Sequence, residues 1–365
     1  MVDSRHKFGG RAVTILYLIA GSALISFVLC TLMRRVPLLD APDGGRKQQK
    51  APVPRTGGIG ILGAILITLA AFALLSDPAP LNGMGAGQFL FVVALALTPW
   101  VIGFLDDWLG LSALLKLVLL CGWALVAAIP FFLSGGAGGW LIGLAVIAWL
   151  IVITNAANFM DGANGLAMGS VAIMHLGLFP LFAVLMLCFG NCVRDPAGEF
   201  AMVAQFAMFG AVLGFLVWNM RGMLYAGDCG SLGAGGLFGL MAVYHLGEGM
   251  DGVRAALLGL TLALPFLIDV LLTLAWRSLK GRNLLQAHTD HAYQRLIARG
   301  WGHVGVAAFW WGMTLICAIM GVVTMFGAAE SAEQANAFPV LQLVTLLALA
   351  AIGAAFWSLE RFRAQ

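Results

Sequence analysis

The chain has 365 residues, 61% of them hydrophobic and only 10% charged, with 47 glycines and a formal net charge of +3. So little charge cannot cover the surface of a soluble domain of this size, and the composition points to a polytopic membrane protein. No nucleic-acid partner is expected.

Apolar runs of about 18 residues or more can cross a hydrocarbon core of roughly 30 Å as helices. The first, near 12–33, lacks a small-residue cleavage site and is expected to be a retained span. The loop 34–57 that follows carries "RKQQKAPVPRTGGIGI" (46–61), a basic, proline-stiffened approach in which Lys50 and Arg55 suit a phosphate contact or anionic lipid. Spans near 58–76 and 89–105 come next. The loop 106–112 then sits inside "VIGFLDDWLGLSALLKL", which ends one run on the tandem Asp106 and Asp107 and restarts another with Lys116 in its first turns. Adjacent carboxylates at a membrane surface can hold Mg²⁺ or accept a proton, and a lysine at a helix start can meet phosphate. The plainer reading is a solvated loop with Ser112 capping the next helix.

After spans near 113–133 and 140–157, the loop 158–164 belongs to "NAANFMDGANGLAMG". Asn155, Asn158, Asp161 and Asn164 recur every three residues, so their side chains drift slowly around one face of a helix end. Gly162 and Gly165 let the chain turn and let a ligand approach the backbone. Amides suit a nucleobase edge or a metal needing neutral oxygen, and the carboxylate suits a sugar hydroxyl. Mere capping and breaking of helices is the alternative.

Beyond spans near 165–189 and 200–218, the loop 219–231 runs into "YAGDCGSLGAGGLFG". Asp228, Ser231 and a glycine-rich helix start make an anion site with a carboxylate beside it for a metal-bridged phosphate. The GK[ST] ending of a Walker loop is missing, and the glycines alone would also serve membrane helix packing. Spans near 232–246 and 254–275 lead to the largest basic loop, 276–304, "RSLKGRNLLQAHTDHAYQRLIARGWGH". His288 and His291 lack the further ligands zinc would want, so phosphate oxygens suit them better. The last spans lie near 305–327 and 338–357.

Backbone groups in lipid must bond within their own segment, and the Gly-rich runs lack barrel alternation. The expected fold is all-α: eleven spans, or ten without one of the two weakest, 140–157 and 232–246, forming a single transmembrane catalytic domain over 1–365. The loops after odd-numbered spans share one side and hold fifteen of the twenty Lys and Arg, against Arg5, Lys7, Arg11, Arg194 and Arg254 elsewhere. Positive charge marks the cytoplasmic face, which predicts an outside N-terminus and a cytoplasmic C-terminus. The cysteines at 30, 121, 188, 192, 229 and 317 read as small buried residues, with Cys188 and Cys192 one turn apart and without other metal ligands nearby. Apart from Asp269 and Lys116 the spans are almost free of ionisable groups. A transporter would keep such groups at mid-membrane, so chemistry is expected at the cytoplasmic surface.

Five motifs in order, "PVPRTGGIGI", "GFLDDWLGLSALLKL", "NAANFMDGANGLAMG", "GDCGSLGAGG" and "HTDHAYQRL", resemble those of the polyprenyl-phosphate N-acetylhexosamine-1-phosphate transferases over roughly 40–305. The resemblance implies a Mg²⁺-dependent enzyme, Mn²⁺ being an alternative, of the bacterial cytoplasmic membrane. It would move sugar-1-phosphate from a UDP-N-acetylhexosamine to undecaprenyl phosphate and release UMP. It assigns Asp106 and Asp107 to activating the lipid phosphate, Asn158 and Asp228 to the metal, and Asn164 to the uracil. Lys50 resembles a contact at the nucleotide pocket, and Lys116 and the basic histidine loop resemble holders of phosphate. The chain departs from the common pattern at Asn164, where many members carry aspartate, and at Asp290, which replaces a histidine of HxHH. The second departure shifts the phosphate contact to His288, His291 or Arg295. "HAYQRL" looks like the O-antigen initiating branch, with peptidoglycan or teichoic acid intermediates as alternatives, and a homodimer is an open possibility. A CDP-alcohol phosphotransferase would show a DGxxAR-type signature, which "MDGANG" is not.

Overall fold

A computed structural model describes residues 2–41, 51–75, 86–178, 196–247, 252–286, 288–326 and 332–362. Lys50, Cys188 and Cys192 lie outside the described residues. The elements in chain order are α1 (Val2–Met33), a two-stranded ribbon of β1 (Leu39–Asp40) and β2 (Val53–Pro54), α2 (Gly57–Leu75), α3 (Ala86–Leu109), α4 (Ala113–Leu133), α5 (Gly136–Phe159) and α6 (Leu166–Leu178). There follow α7 (Pro196–Asn219), α8 (Gly227–Gly247), α9 (Gly252–Leu279), the short α10 (Ala292–Ala298), α11 (His303–Phe326) and α12 (Ala332–Phe362).

The protein is thus a polytopic all-α membrane protein. Each of the eleven expected spans contains or overlaps one of these helices, and the second half of the span expected near 165–189 lies outside the described residues. Among the described residues, nine are long and apolar enough to cross a membrane, and α6 is a shorter apolar helix. The remaining one, α8, is the expected span 232–246, extended at its N-terminus to take in Asp228.

Local chemistry sets several boundaries. Ser112 caps α4 by accepting a hydrogen bond from Leu115 N–H at 3.2 Å, as its position before the apolar run predicts. The antiparallel ribbon pairs Leu39 with Pro54 and Asp40 with Val53, which fixes the approach to α2. Main-chain hydrogen bonds then carry that approach across to the segment before α8: Tyr225 N–H donates to Pro54 O at 2.8 Å, Gly57 N–H to Tyr225 O at 2.9 Å and Gly58 N–H to Ala226 O at 2.8 Å.

Helix α8 is the hub, packed against α2, α3, α5, α6 and α9. Its glycines make this possible, because a Cβ at Gly233 would lie 2.0 Å from the Trp100 ring, one at Gly236 2.6 Å from Pro99 and one at Gly235 2.6 Å from Ala157. Small residues let backbones approach where no hydrophobic driving force separates helix from lipid. The main core joins Trp100, Ile153, Phe238, Phe266, Tyr293 and Trp310 from six helices, and a second cluster around Leu120, Trp123 and Leu150 seats α4. The described cysteines fit the small-residue reading, with Cys30, Cys229 and Cys317 buried and free.

Gly233→Ala is expected to lower the melting temperature in detergent, the added methyl overpacking Trp100 at a cost of about 1–3 kcal/mol. Gly122→Ala, whose methyl meets nothing within 4 Å, leaves the melting temperature unchanged or raises it. Equal melting temperatures for Gly233→Ala and the parent would contradict the hub packing.

Candidate active site

Three helices bring their polar ends to one point. Asp106 and Asp107 sit in the last turn of α3, Lys116 in the first turns of α4, and Asp228 in the first turn of α8. The Lys116 ammonium lies 2.7 Å from Asp106 Oδ2 and 2.6 Å from Asp228 Oδ2, bridging carboxylates 122 positions apart in the sequence. Asn158, at the end of α5, closes the other side of Asp228, its Nδ2 donating to Asp228 Oδ1 at 3.0 Å and to Ser231 Oγ at 2.9 Å. That leaves the amide oxygen of Asn158 as the end available to a cation.

Asp107 does a different job. Only 2% exposed, it accepts a hydrogen bond from Cys229 N–H at 2.9 Å through Oδ2, and its Oδ1 lies 3.6 Å from Arg55 Nε. Arg55 also donates to the main-chain oxygen of Asp107 at 2.6 Å. The fresh N-terminus of α8, which the sequence offers to a bound anion, is therefore occupied by the chain's own carboxylate. The glycine before it explains how: Gly227 has φ +71°, and a Cβ there would lie 2.5 Å from Asp107 Oδ2.

The loop 158–164 lies against this group. Burial, then the negative fields of Asp228 and Asp107, push the Asp161 carboxyl well above the usual carboxylate range. Gly165 takes φ +80°, as its turn requires, and its N–H donates to Asn219 Oδ1 at 2.6 Å while its carbonyl accepts from Trp311 Nε1 at 2.9 Å. Gly162 is needed for space and not for φ, since a Cβ would strike the Tyr293 hydroxyl at 2.1 Å. Asn164 donates through its main-chain N–H to His303 Nδ1 at 3.2 Å, and its amide faces Gly222 in the α7–α8 loop.

Two expected substrate contacts are directed elsewhere. Asn155 donates to Ile151 O at 2.8 Å, back along its own helix. Arg295 donates through Nε to Glu360 O at 3.1 Å and through Nη2 to Arg361 O at 3.3 Å, so its guanidinium covers the carbonyls that end α12 and does not join the carboxylates. The histidine loop approaches from the α5 side. His291, 2% exposed, stacks on Phe159 with ring centroids 6.0 Å apart, and Tyr293 Oη donates to Phe159 O at 3.0 Å. Burial first, then the fields of His291 and Arg277, lower His288 to about 4, so its imidazole is neutral near pH 7 and can act as a hydrogen-bond donor.

Asn219 is a site-shaping residue that the sequence does not flag. Buried at 4% exposure, it accepts from Gly165 N–H and donates to Leu224 O at 2.9 Å, tying the 158–164 loop to the segment before α8. In sequence it is one more asparagine at the end of an apolar run, and only its bond to Gly165, 54 positions away, distinguishes it.

Among the described residues, no three His, Cys, Asp or Glu side chains form a metal-binding group. Mg²⁺ does not need three, because it keeps several waters and takes one or two carboxylates plus substrate phosphates. Asp106, Asp228 and Asn158 fit that pattern: they are hard oxygen donors, and Asp106 and Asp228 already share a single cation, the Lys116 ammonium.

A carboxylate and lysine cluster at the ends of membrane helices, backed by neutral amides and histidines, defines a class: a membrane-embedded enzyme acting on phosphate-bearing substrates. Residues 89–246 match glycosyl transferase family 4. The chain is 32% identical over 335 residues to a phospho-N-acetylmuramoyl-pentapeptide-transferase of Synechococcus sp. (strain JA-3-3Ab), covering 83% of this chain and 89% of the relative. It is 29% identical over 308 residues to the protein of that name from Bacillus thuringiensis (strain Al Hakam), covering 77% of this chain and 86% of the relative. The chain belongs to this family of polyprenyl-phosphate sugar-1-phosphate transferases, and it is a phospho-sugar transferase.

The raised Asp161 carboxyl gives a pH prediction. Its neutral form is favoured in the fold, so its contribution to stability is full below the ordinary aspartate value and is lost as pH rises through the folded value. Asp161→Asn, which cannot ionise, should therefore melt above the parent at alkaline pH, with the gap closing on acidification. Parallel pH profiles of melting temperature for the two proteins would contradict the assigned environment.

Proposed function

We propose that this chain transfers an N-acetylhexosamine-1-phosphate from a UDP-sugar to undecaprenyl phosphate at the cytoplasmic face of a bacterial inner membrane, acting as one transmembrane catalytic unit with a cytoplasmic C-terminus. An oxygen of the lipid phosphate forms a bond to the phosphorus that carries the sugar. The bond from that phosphorus to the bridging oxygen breaks, and UMP leaves. The observation that carries the reading is the convergence of Asp106 and Asp228 on the Lys116 ammonium, with Asn158 on the far oxygen of Asp228.

Asp106, Asp107 and Asp228 face Lys116 and Arg55, an excess of negative charge that anionic diphosphates would not enter unaided. Mg²⁺ held by Asp228 and Asn158, beside Asp106, would supply positive charge and steady the diphosphate. Lys116 would then turn from the carboxylates to the phosphates. Asp107, buried and bonded to the first turn of α8, supports Asp228. Asp106 is the carboxylate left to activate the lipid phosphate, accepting its proton as the new bond to phosphorus forms. Asp161 and Asn164, either side of Gly162, are assigned to the nucleotide sugar, with neutral His288 donating to a phosphate oxygen.

The names of the relatives support N-acetylmuramoyl-pentapeptide as the transferred sugar, and with it a peptidoglycan precursor as the product. They lend no support to the O-antigen branch expected from "HAYQRL".

Purified protein in detergent, given undecaprenyl phosphate, Mg²⁺ and a panel of UDP-N-acetylhexosamines including UDP-N-acetylmuramoyl-pentapeptide, should release UMP and form a lipid-linked sugar with at least one donor. Asp106→Asn and Asp228→Asn should each lower turnover by about 100-fold or more while the protein stays folded. Excess chelator should abolish turnover, and turnover that persists in it sinks the metal assignment.

A further inference from the structure

The end of α12 reaches the histidine loop, and no motif of the sequence predicts it. Arg361, its side chain 3% exposed, donates through Nη2 to Asp290 O and to Thr273 Oγ1 at 3.5 Å, with Nη1 3.9 Å from Asp290 Oδ1. Its guanidinium lies 4.2 Å over the Trp276 ring and 4.9 Å over Trp357. Arg277 donates to Asp290 Oδ2 and to Asn283 O at 2.8 Å, and Arg282 Nη1 lies 3.3 Å from Asp290 Oδ2. Arg295 and Arg299 bind the same helix end from α10, at Glu360 O and Arg361 O. From the other side, Asp269 accepts from Ala292 N–H at 2.8 Å and Tyr293 N–H at 3.3 Å.

Between these two anchors stand His288 and His291, ring centroids 4.9 Å apart, with Asp290 N–H donating to His288 Nδ1 at 3.3 Å. His291 in turn stacks on Phe159, next in sequence to Asn158. A contact path therefore runs from the last turn of α12 through Asp290 and the histidine pair to the carboxylate cluster.

We propose that Arg361, with Arg277, is a positioning residue of the transfer reaction: it grips Asp290 so that the end of α12 sets the placement of His288 and His291 beside the reacting phosphates. The proposal rests on the function assigned above. Loop residues outside a helix or sheet lose conformational entropy when fixed, so a loop that must present two rings in register needs such anchoring. Asp290 supplies the anchor in the place of the histidine that the resembled pattern carries there. A carboxylate can receive several guanidinium donors at once, and an imidazole cannot.

The test compares full-length wild type, Arg361→Gln, Asp290→Asn and Asp290→His in detergent by two readouts. The first is the rate at which diethylpyrocarbonate modifies His288 and His291, followed by peptide mass spectrometry with His175 and His303 as internal references. Arg361→Gln should speed modification of the pair several-fold relative to the references. The second is steady-state kinetics with the active donor, where Arg361→Gln and Asp290→His should each lower kcat by about tenfold to a hundredfold with the donor KM within about twofold. Asp290→His distinguishes placement from direct contact, because a residue that itself touched phosphate would keep or gain activity on becoming histidine.

An unchanged modification rate in Arg361→Gln overturns the proposal, as does faster modification with wild-type kcat. If Arg361→Gln does not fold, Asp290→Asn carries both readouts. If wild type is silent with every donor, the assigned reaction fails, and the modification rates alone judge the clamp: faster labelling upholds the grip on the loop and an unchanged rate removes it.

Discussion

The arrangement depends on one ammonium group between two carboxylates. Asp106 and Asp228 come from helices whose packing would otherwise set like charges against each other in a poorly hydrated corner. Lys116 resolves the repulsion and braces α3, α4 and α8 at the same end of the bundle. A protein cation is a provisional solution at such a place, since its flexible four-carbon stem can swing to a new partner while the carboxylates stay. Under the reaction proposed above, the same geometry would let one positive charge replace another as phosphates bind.

Helix α8 shows why the site needs so many glycines. Its first turn must carry Asp228 and leave an N–H for Asp107, and the helix as a whole packs against five others. Side chains at Gly233, Gly235 or Gly236 would push α3 or α5 outward and take Asp106 or Asn158 away from Asp228. Packing and chemistry here are the same constraint, met in successive turns of one helix.

The histidine loop is held by a different kind of force. Asp269 anchors α10 from α9, and the guanidinium groups of Arg277 and Arg361 close on Asp290, with that of Arg361 lying over the Trp276 and Trp357 rings. Buried charges of this sort are strongly interdependent, because removing one leaves its partner without compensation. A loop built this way is held in place largely by side-chain contacts, which would suit the phosphate role proposed for His288.

The sequence alone determined the membrane class, the helix positions and the sharing of one face by the polar loops. These follow from length, apolarity and charge placement, which the bilayer reads directly. It also marked Asp106, Asp107, Lys116, Asn158 and Asp228, because ionisable and amide groups at helix ends are costly without a use. Only the tertiary structure decided which of these residues touch. Nothing in the chain order tells that Asp107 caps α8 while Asp106 takes the lysine, since neighbouring carboxylates in one helix turn look alike until a second helix chooses between them. Nor does it tell that Arg295 and Asn155 turn away from the cluster, or that Arg361 reaches back to residue 290. Those outcomes are set by which faces of distant helices pack together, and hydropathy carries no record of partner or rotation.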